Sequence, residues 1–432
     1  MLFIKERIAV MTFLNRRQVV ASAGASMALA FSPSLSLAQT AAKLRCFWWG
    51  NPDRDKRTKA LLEVYSKKSG TQIAAESLGW GDYWTKLATQ TAGGNAPDLI
   101  QMDYRYLFEY ARRQTLLPLD QLLPLSDFSV NDRNGGKVDG KLYGVNLGSN
   151  SKAMVYDSGI LAKVGVKAID PKWTWADFTK ITSEISKINP GKYWGSTDNS
   201  RSEPGFEQWL NRQGKILYNA DGQAAFTKDD AYEWFDLWDK LRRLGAIPPA
   251  EVGAGNAGKI EDDELTRGLA AMSFANSNQV VAFQALNKNS LAMSPFPSSK
   301  GGSSGHYIKP SQMMSVSAKS KSPEEAAKII SFMVQAPEGV KILGIERGVP
   351  CSSAARATLL PDLDALGKMQ LDYIARLSAT AVPLPPPPPK GAGEIYNLII
   401  RVADGIAFGK TSVRDGANAF HAESIRILAR SA

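Results

Sequence analysis

The sequence predicts an α/β fold, because short apolar segments typical of strands alternate with segments of helical periodicity. The chain has 432 residues, of which 44% are hydrophobic and 22% charged. This length suffices for two or three domains, and the composition is ordinary for a globular protein. We therefore expect little disorder outside the ends of the chain.

The alternation begins at residue 44. Residues 44–49 form an apolar and aromatic run that predicts a strand, and Asn51 followed by Pro52 is typical of a helix start. Residues 73–77 predict a second strand, and residues 82–84 the start of a second helix whose apolar side faces the core. Strands that alternate with helices in this way indicate an α/β sheet.

Later segments continue the pattern. Residues 137–145 predict a turn and a strand, residues 152–156 predict another strand, and the polar residues 146–150 between them are expected to be flexible. Thr174 to Asp177 is a capping box, and Ser322 with Pro323 predicts a further helix start. The five prolines at 385–389 predict a stiff polyproline segment before a last helical region.

The N-terminal segment predicts export. Arg16 and Arg17 precede an uncharged run of small and apolar residues at 21–37, and residues 36–38 fit a signal-peptidase site. The paired arginines resemble a twin-arginine signal. A membrane anchor and a lipid-modified Cys46 are the alternatives, but serines and prolines dilute the run and Lys43-Leu44-Arg45 precedes the cysteine. We predict a signal peptide at residues 1–38, starting at Met1 or Met11, and a soluble periplasmic protein.

Charge and cysteine content restrict the partners. The net charge is +10, and removal of residues 1–38 leaves about +7. The basic residues are scattered, so nucleic acid is not predicted as a partner. Cys46 and Cys351 leave a disulfide and two free thiols both open. Because His306 and His421 lack ligand spacing, neither a metal nor another cofactor is predicted.

Residues 93–104 are the most informative segment for ligand binding. A glycine-rich turn leads into a short apolar strand, residues 99–102, which ends at Asp103 and Tyr104. In open α/β sheets, ligands lie outside the carboxyl ends of the strands, where these two residues fall. Carboxylates accept hydrogen bonds from hydroxyl groups and aromatic faces cover the C–H surface of a pyranose, so the pair suits a sugar. A helix-capping role for Asp103 is the alternative.

Several motifs occur in the order that is typical of one family. They are Gly94-x-x-Pro97-Asp98, Asp139-Gly140-Lys141-x-Tyr143-Gly144-Val145, Met154-x-Tyr156-Asp157, Trp173-Thr174-Trp175-x-Asp177-Phe178, Arg267-Gly268-x-x-Ala271-Met272 and Arg347-Gly348-Val349-Pro350. With these motifs the chain resembles the extracellular solute-binding proteins of ABC transporters, specifically the carbohydrate-binding group (family 1) that includes maltose-binding-protein-like receptors. The resemblance covers nearly the whole chain after the export signal.

The resemblance implies a two-lobe periplasmic-binding-protein fold (type II-like) with crossing hinge segments and a C-terminal helical region. Lobe 1 is expected at residues 39–149 plus about 310–350, and lobe 2 at residues 150–309 plus about 351–432. The implied function is that of a monomeric receptor, not an enzyme. It captures a sugar or oligosaccharide between the lobes, closes by hinge motion and delivers the ligand to the permease subunits of an ABC importer.

The resemblance also points to ligand-binding candidates on both lobes and at the hinge. These are Trp49, Asn51, Tyr83, Asp103, Tyr104, Asn150, Glu207, Trp209, Asn276, Asn278 and Arg347. Two positions depart from the family pattern. Asn278 stands where a sugar-stacking tryptophan is usual, which favours hydrogen bonding over stacking, and Asn146 replaces the usual proline after Tyr143-Gly144-Val145.

Two other functions stay open. An exported carbohydrate-active enzyme, a glycosidase or lyase, would need two carboxyl groups about 5–10 Å apart across a cleft, for which Asp103 and Glu207 are candidates. A receptor for a polyamine or a chelated metal is the third possibility. The length, linkage and charge of the sugar are not fixed by the sequence.

Overall fold

The computed structural model describes residues 42–255, 259–299 and 302–431. The predicted signal peptide and the choice between Met1 and Met11 lie outside these residues.

The strands and helices alternate as predicted. The strands are β1 (Lys43–Trp49), β2 (Gln72–Leu78), β3 (Leu99–Met102), β4 (Lys137–Val138), β5 (Lys141–Leu142), β6 (Val145–Asn150), β7 (Lys152–Asp157), β8 (Met272–Asn276), β9 (Leu291–Ser294) and β10 (Lys309–Val316). The helices of the first half are α1 (Pro52–Ser69), α2 (Trp80–Ala92), α3 (Tyr104–Arg112), α4 (Val130–Asn134), α5 (Ser158–Lys163), α6 (Trp175–Ser186) and α7 (Glu203–Asn211). They are followed by α8 (Lys228–Arg243), α9 (Ala250–Gly253), α10 (Val280–Leu286), α11 (Pro323–Val334), α12 (Pro337–Leu343), α13 (Ser353–Leu359), α14 (Ala365–Ser378), α15 (Ala392–Ala407) and α16 (Val413–Ser431).

Lobe 1, as we use the term, is the part of the chain packed on a five-stranded sheet with the order β2-β1-β3-β10-β6. β1 pairs in parallel with β2 and β3, whereas β10 is antiparallel to β3 and β6. Because side chains alternate along a strand, Cys46 and Trp48 of β1 pack with α1 and α11 on one face, while Phe47 and Trp49 pack with α2 and α3 on the other. Helices therefore cover both faces of the sheet.

Lobe 2 is the part packed on the three-stranded antiparallel sheet β8-β7-β9. Met154 and Tyr156 of β7 face a large core shared with α6, α7, α8, α15 and α16. Ala153 and Val155 face the opposite side, where α10 and α14 pack. The C-terminal helical region predicted from the sequence is thus part of the lobe 2 core.

The chain crosses between the lobes where β6 continues into β7, again between β9 and β10, and a third time between α11 of lobe 1 and α14 of lobe 2. At the first crossing, Ser149 pairs with Val349 through two backbone hydrogen bonds of 2.7 and 2.9 Å. Glycine is required here, since a Cβ on Gly148 would lie 2.6 Å from the Arg347 carbonyl oxygen and one on Gly348 would lie 2.7 Å from that of Ser149. The hinge backbones approach each other more closely than side chains would allow.

The expectation of a flexible connection at residues 146–150 was wrong. These residues belong to β6, which is buried along its whole length. The polar side chains find partners: the Asn146 Oδ1 accepts the Gly148 amide at 3.0 Å, and the Ser149 hydroxyl donates to Asp132 at 2.6 Å. The predicted turn before it is a tight hairpin between β4 and β5, with positive φ at Asp139 and Gly140.

Candidate functional site

The two lobes touch through a buried ion pair. Arg105, in the first turn of α3 of lobe 1, pairs with Glu203, the first residue of α7 of lobe 2, at 2.5 Å. The two side chains are 15% and 4% exposed, so water is largely excluded from the pair. Glu203 also accepts a hydrogen bond from the Tyr218 hydroxyl at 3.1 Å. A second contact runs from the Tyr104 hydroxyl to the Pro385 carbonyl oxygen at 3.2 Å.

Four ionisable side chains and one tyrosine lie beside this contact, at what we call the cleft floor: Asp103, Lys152, Glu207, Lys309 and Tyr307. Asp103 caps α3 by accepting the Arg105 amide at 2.9 Å, and its other oxygen lies 3.9 Å from the Lys309 ammonium. The Tyr307 hydroxyl donates to Glu207. Lys152 begins β7 directly after the hinge, and Lys309 begins β10 opposite Asn150.

Burial favours the uncharged forms of two groups at the cleft floor, the Glu207 carboxyl and the Lys152 amine. Burial, reinforced by the neighbouring Glu203 carboxylate, raises the pKa of Glu207 to about 7. Burial and the nearby Lys309 ammonium lower the pKa of Lys152 to about 8. Both groups therefore change charge near neutral pH, as is common where a protein binds charged or polar ligands.

A cavity of about 430 Å³ lies in lobe 2 beside the cleft floor. One face of α15 forms a wall, since Tyr396, Ile400 and Asp404 follow the i, i+4 spacing. The opposite walls are the loop of residues 197–202, Phe274 of β8 and Lys152. The cavity adjoins lobe 1, because the Arg105 guanidinium lies 5.3 Å above the Tyr396 ring. Aromatic and polar walls in a space of this size suit a small organic ligand with hydroxyl groups.

Lobe 1 carries an aromatic patch at the carboxyl ends of its parallel strands. Trp49 ends β1, Trp80 follows β2, and Tyr106 follows β3. The Trp80 ring lies 5.0 Å from Trp49 and 5.4 Å from Trp84, and Trp84 lies 3.9 Å from Tyr106. Trp80 is 40% exposed although three rings support it. A rigid exposed indole is well suited to stack on a sugar ring.

Four sequence-predicted site residues lie at or next to these features. Asp103, Tyr104 and Glu207 come together at the lobe contact, where Tyr104 has a pKa raised to about 12 by burial and by the Glu207 carboxylate. Trp49 belongs to the aromatic patch of lobe 1 but is only 8% exposed. Asp103 is also the helix cap that was the alternative interpretation, and its role in binding stays a prediction.

Other predicted site residues lie in a polar network around the hinge. The Asn150 side-chain amide donates to Asn278 at 2.8 Å, and Asn278 donates to the Glu346 carbonyl oxygen at 3.1 Å. Asn51 caps α1 and donates to the Glu346 carboxylate, which Arg54 binds at 2.8 Å. The contact between Asn150 and Asn278 joins the end of β6 in lobe 1 to the segment that follows β8 in lobe 2. Asn278 thus links the two lobes at the hinge through its side-chain amide.

Arg347 and Asn276 are likewise engaged. Arg347 is 3% exposed and donates to the Thr58 hydroxyl at 2.9 Å and to Gln101 at 3.2 Å. Burial and the nearby Arg54 lower the pKa of Arg347 to about 10. The Asn276 amide donates to Gln279 at 2.7 Å at the end of β8.

Tyr83 and Trp209 pack in the cores of the lobes. Tyr83 is fully buried, and its hydroxyl donates to the Gln101 carbonyl oxygen at 2.5 Å. Trp209 is 8% exposed and lies in the lobe 2 core, with the Arg212 guanidinium 3.5 Å from its ring. Both rings are part of a hydrophobic core, so their roles in ligand binding stay predictions.

Sequence reasoning missed Arg105, Lys152, Phe274 and Tyr396. A charged residue that opens an apolar strand, as Lys152 does, is a weak signal of a functional position. Tyr396 is 37% exposed on an otherwise amphipathic helix, and an exposed aromatic is a similar signal. Only folding brings the four residues together, since they are far apart in the chain.

Other chemistry is limited in the described part of the chain. Cys46 and Cys351 are free and buried there. Within the same residues, no group of three or more His, Cys, Asp or Glu side chains is arranged to hold a metal ion. None of the helices described is long and apolar enough to cross a membrane.

Comparisons with known proteins place this architecture among binding proteins. A family model for bacterial extracellular solute-binding proteins matches residues 60–363. A solved extracellular solute-binding protein family 1 from Alicyclobacillus acidocaldarius is 30% identical, with a TM-score of 0.69 over 90% of this chain and 98% of that one. A periplasmic oligogalacturonide-binding protein from Yersinia enterocolitica, solved with saturated digalacturonic acid, is 23% identical with a TM-score of 0.81. That match covers 90% of this chain and 99% of the other, and it shows the shared fold.

A curated relative, the arabinooligosaccharide-binding protein of Bacillus subtilis, is 23% identical over 261 residues. These residues are 58% of this chain and 59% of the relative. The chain spans between 59% and 66% of the length of the curated relatives compared.

Proposed function

Because the chain belongs to the bacterial extracellular solute-binding proteins, we propose that it is a periplasmic receptor that encloses a sugar or oligosaccharide between its lobes. The receptor is exported through the signal at residues 1–38. It then delivers the ligand to the permease subunits of an ABC importer as a monomer.

The observation that carries this proposal is the ion pair between Arg105 and Glu203 beside an aromatic-walled cavity. The pair joins the lobes directly, and the Arg105 guanidinium lies 5.3 Å from the ring of Tyr396, which lines the cavity. A ligand in the cavity contacts lobe 1 only when the lobes are together. Its binding energy therefore favours the closed arrangement, which is the state that a permease can distinguish from the open one.

The chemistry of the walls and the named relatives support carbohydrate as the ligand class. Tyr396, Phe274 and the exposed Trp80 offer aromatic faces, and residues 197–202 and Ser273 offer hydroxyl and amide groups. The relatives named as binding arabinooligosaccharides and oligogalacturonides take sugar chains. We propose that Asp103 and Glu207 contact the sugar from the cleft floor and that Tyr104 contacts it from the adjoining lobe contact.

The receptor works without catalysis in this proposal. Asp103 and Glu207 are the carboxylates that the enzyme alternative would use, but each already has a structural partner. Asp103 caps α3, and Glu207 is held by the Tyr307 hydroxyl. Their function is then to accept hydrogen bonds from sugar hydroxyl groups.

Titration of residues 39–432 with a panel of oligosaccharides tests the proposal. Tryptophan fluorescence and calorimetry measure binding, and mass spectrometry of the recovered sugar measures turnover. We expect saturable binding of one sugar per chain, with the sugar recovered unchanged. Cleavage of the sugar by hydrolysis or elimination would instead support the alternative of a carbohydrate-active enzyme. If no carbohydrate binds, the proposal of a sugar receptor is overturned.

A further inference from the structure

Two ammonium groups lie next to each other at the cleft floor. Lys309 is paired with Asn150 across the ladder of β10 and β6, and Lys152 lies two residues beyond Asn150. In the described part of the chain, the carboxylate that pairs with Lys309 is Asp103 at 3.9 Å, which is beyond hydrogen-bond distance. Among the residues that the structure describes, Lys152 forms no ion pair. Two like charges in a partly buried place are unfavourable unless an anion joins them.

The neighbouring acidic groups are engaged elsewhere. Glu203 is bound by Arg105, and Glu207 is bound by Tyr307 and has a pKa raised to about 7 by burial and by Glu203. Near neutral pH, Glu207 is therefore only partly charged.

The acids of the cavity wall are engaged in the same way. Asp198 pairs with Arg242, and Asp404 lies 3.1 Å from Arg201. Burial raises the pKa of Asp263 to about 7, against a hydrogen bond from Ser273. Lys152 lines this cavity, so a ligand held there lies next to this residue.

We propose that Lys152 and Lys309 together bind a carboxylate of the ligand, so that the receptor selects an acidic oligosaccharide, one that contains a uronate unit. The inference rests on the proposed function and specifies its substrate class. A carboxylate has two oxygens that accept hydrogen bonds, which matches two ammonium donors. The uronate group then lies at the cleft floor, and the remaining sugar occupies the cavity beside Tyr396.

Calorimetry with matched pairs of sugars tests the proposal. Digalacturonic and trigalacturonic acid are compared with the corresponding neutral galactose oligomers. We expect the acidic sugars to bind more tightly by about 10- to 100-fold, the size of a charge-assisted hydrogen bond, and the difference to shrink in high salt. Equal affinity, or binding of the neutral sugars alone, overturns the inference and leaves the sugar receptor standing.

Three variants locate the effect. Lys152→Met and Lys309→Met keep the apolar part of the side chain and remove the ammonium group. Each substitution is expected to lower the affinity for the uronates by about 10-fold or more. Lys163→Met, an exposed lysine at the end of α5, is the matched control and is expected to leave affinity unchanged. Circular dichroism shows whether each variant folds. If Lys152→Met does not fold, Lys152→Gln is used in its place. Unchanged uronate affinity in both cleft-floor variants contradicts the proposal.

The pH dependence gives an independent readout. Asp103, Glu203, Glu207 and Lys309 are the charged groups that act on Lys152. A bound carboxylate favours the protonated lysine, so uronate binding takes up protons near pH 8. We expect uronate affinity to fall as pH rises from 7 to 9, faster than in Lys152→Met. A profile that is the same in both proteins contradicts the role of Lys152.

Discussion

Removal of the Arg105 guanidinium is expected to weaken ligand binding strongly without unfolding the protein. Arg105→Met leaves Glu203, which is 4% exposed, as a buried charge whose remaining hydrogen-bond partner among the described residues is the Tyr218 hydroxyl. Loss of one partner from a buried ion pair costs about 3–5 kcal/mol. Because the pair joins the two lobes, this cost falls on the state in which they touch. If ligand binds that state, its affinity falls by about 100-fold or more.

Calorimetry with the sugar that binds the wild type measures this loss. In the double variant Arg105→Met with Glu203→Gln, part of the affinity should return, because the orphaned carboxylate is gone. Arg57→Met removes an exposed pair with Asp53 on α1 and serves as the control, with affinity expected within about twofold of the wild type. Binding by Arg105→Met within about threefold of the wild type would refute a lobe contact that controls binding.

Three further changes test other parts of the structure. Trp80→Ala should weaken the binding of oligosaccharides by about 3- to 10-fold in fluorescence titrations, with little change in Tm. Phe408→Ala removes an exposed aromatic ring elsewhere and should leave the affinity unchanged. Equal effects of the two substitutions would exclude a role of the lobe 1 aromatic patch in binding. Asn278→Ala should lower the free energy of unfolding in urea by about 1–3 kcal/mol, because the Asn150 side-chain amide and a buried carbonyl lose their partner; an unchanged midpoint would contradict the hinge network. Burial raises the pKa of Glu346, but the Arg54 guanidinium outweighs it and holds the pKa below its usual value. The stabilising effect of Glu346 is therefore complete above the pKa of this residue in the unfolded chain, and it is lost as pH falls through the pKa in the folded protein. We expect the wild type to lose more stability than Glu346→Gln between about pH 5 and pH 3. Parallel curves of stability against pH for the two proteins would contradict this.

Much of the fold was predictable because local signals coincide with the folded arrangement. Asn51 with Pro52, and Thr174 with Asp177, cap the helices that they were expected to cap. The apolar runs at β1 and β3 are strands, since buried strands of an α/β sheet are apolar on both faces. The polar strand β6 was missed because its side chains are satisfied by distant partners such as Asp132, which a local pattern does not reveal.

The site was predictable only in part. Asp103 and Tyr104 follow directly after β3, so their place at the cleft edge was a consequence of topology. The resemblance made Asn278 a ligand-binding candidate, and in the structure its side chain accepts a hydrogen bond from Asn150 at the hinge. Tyr396 and Lys152 reach the same cavity from distant parts of the chain. The spacing of these residues in the sequence does not predict that they line the same cavity.

A crystal structure with a bound oligosaccharide tests the central claim most directly. We expect the sugar in the cavity beside Tyr396, in contact with the cleft floor and with the ion pair between Arg105 and Glu203 intact. A sugar bound outside this cavity, or one held by a single lobe while Arg105 and Glu203 are apart, would contradict it.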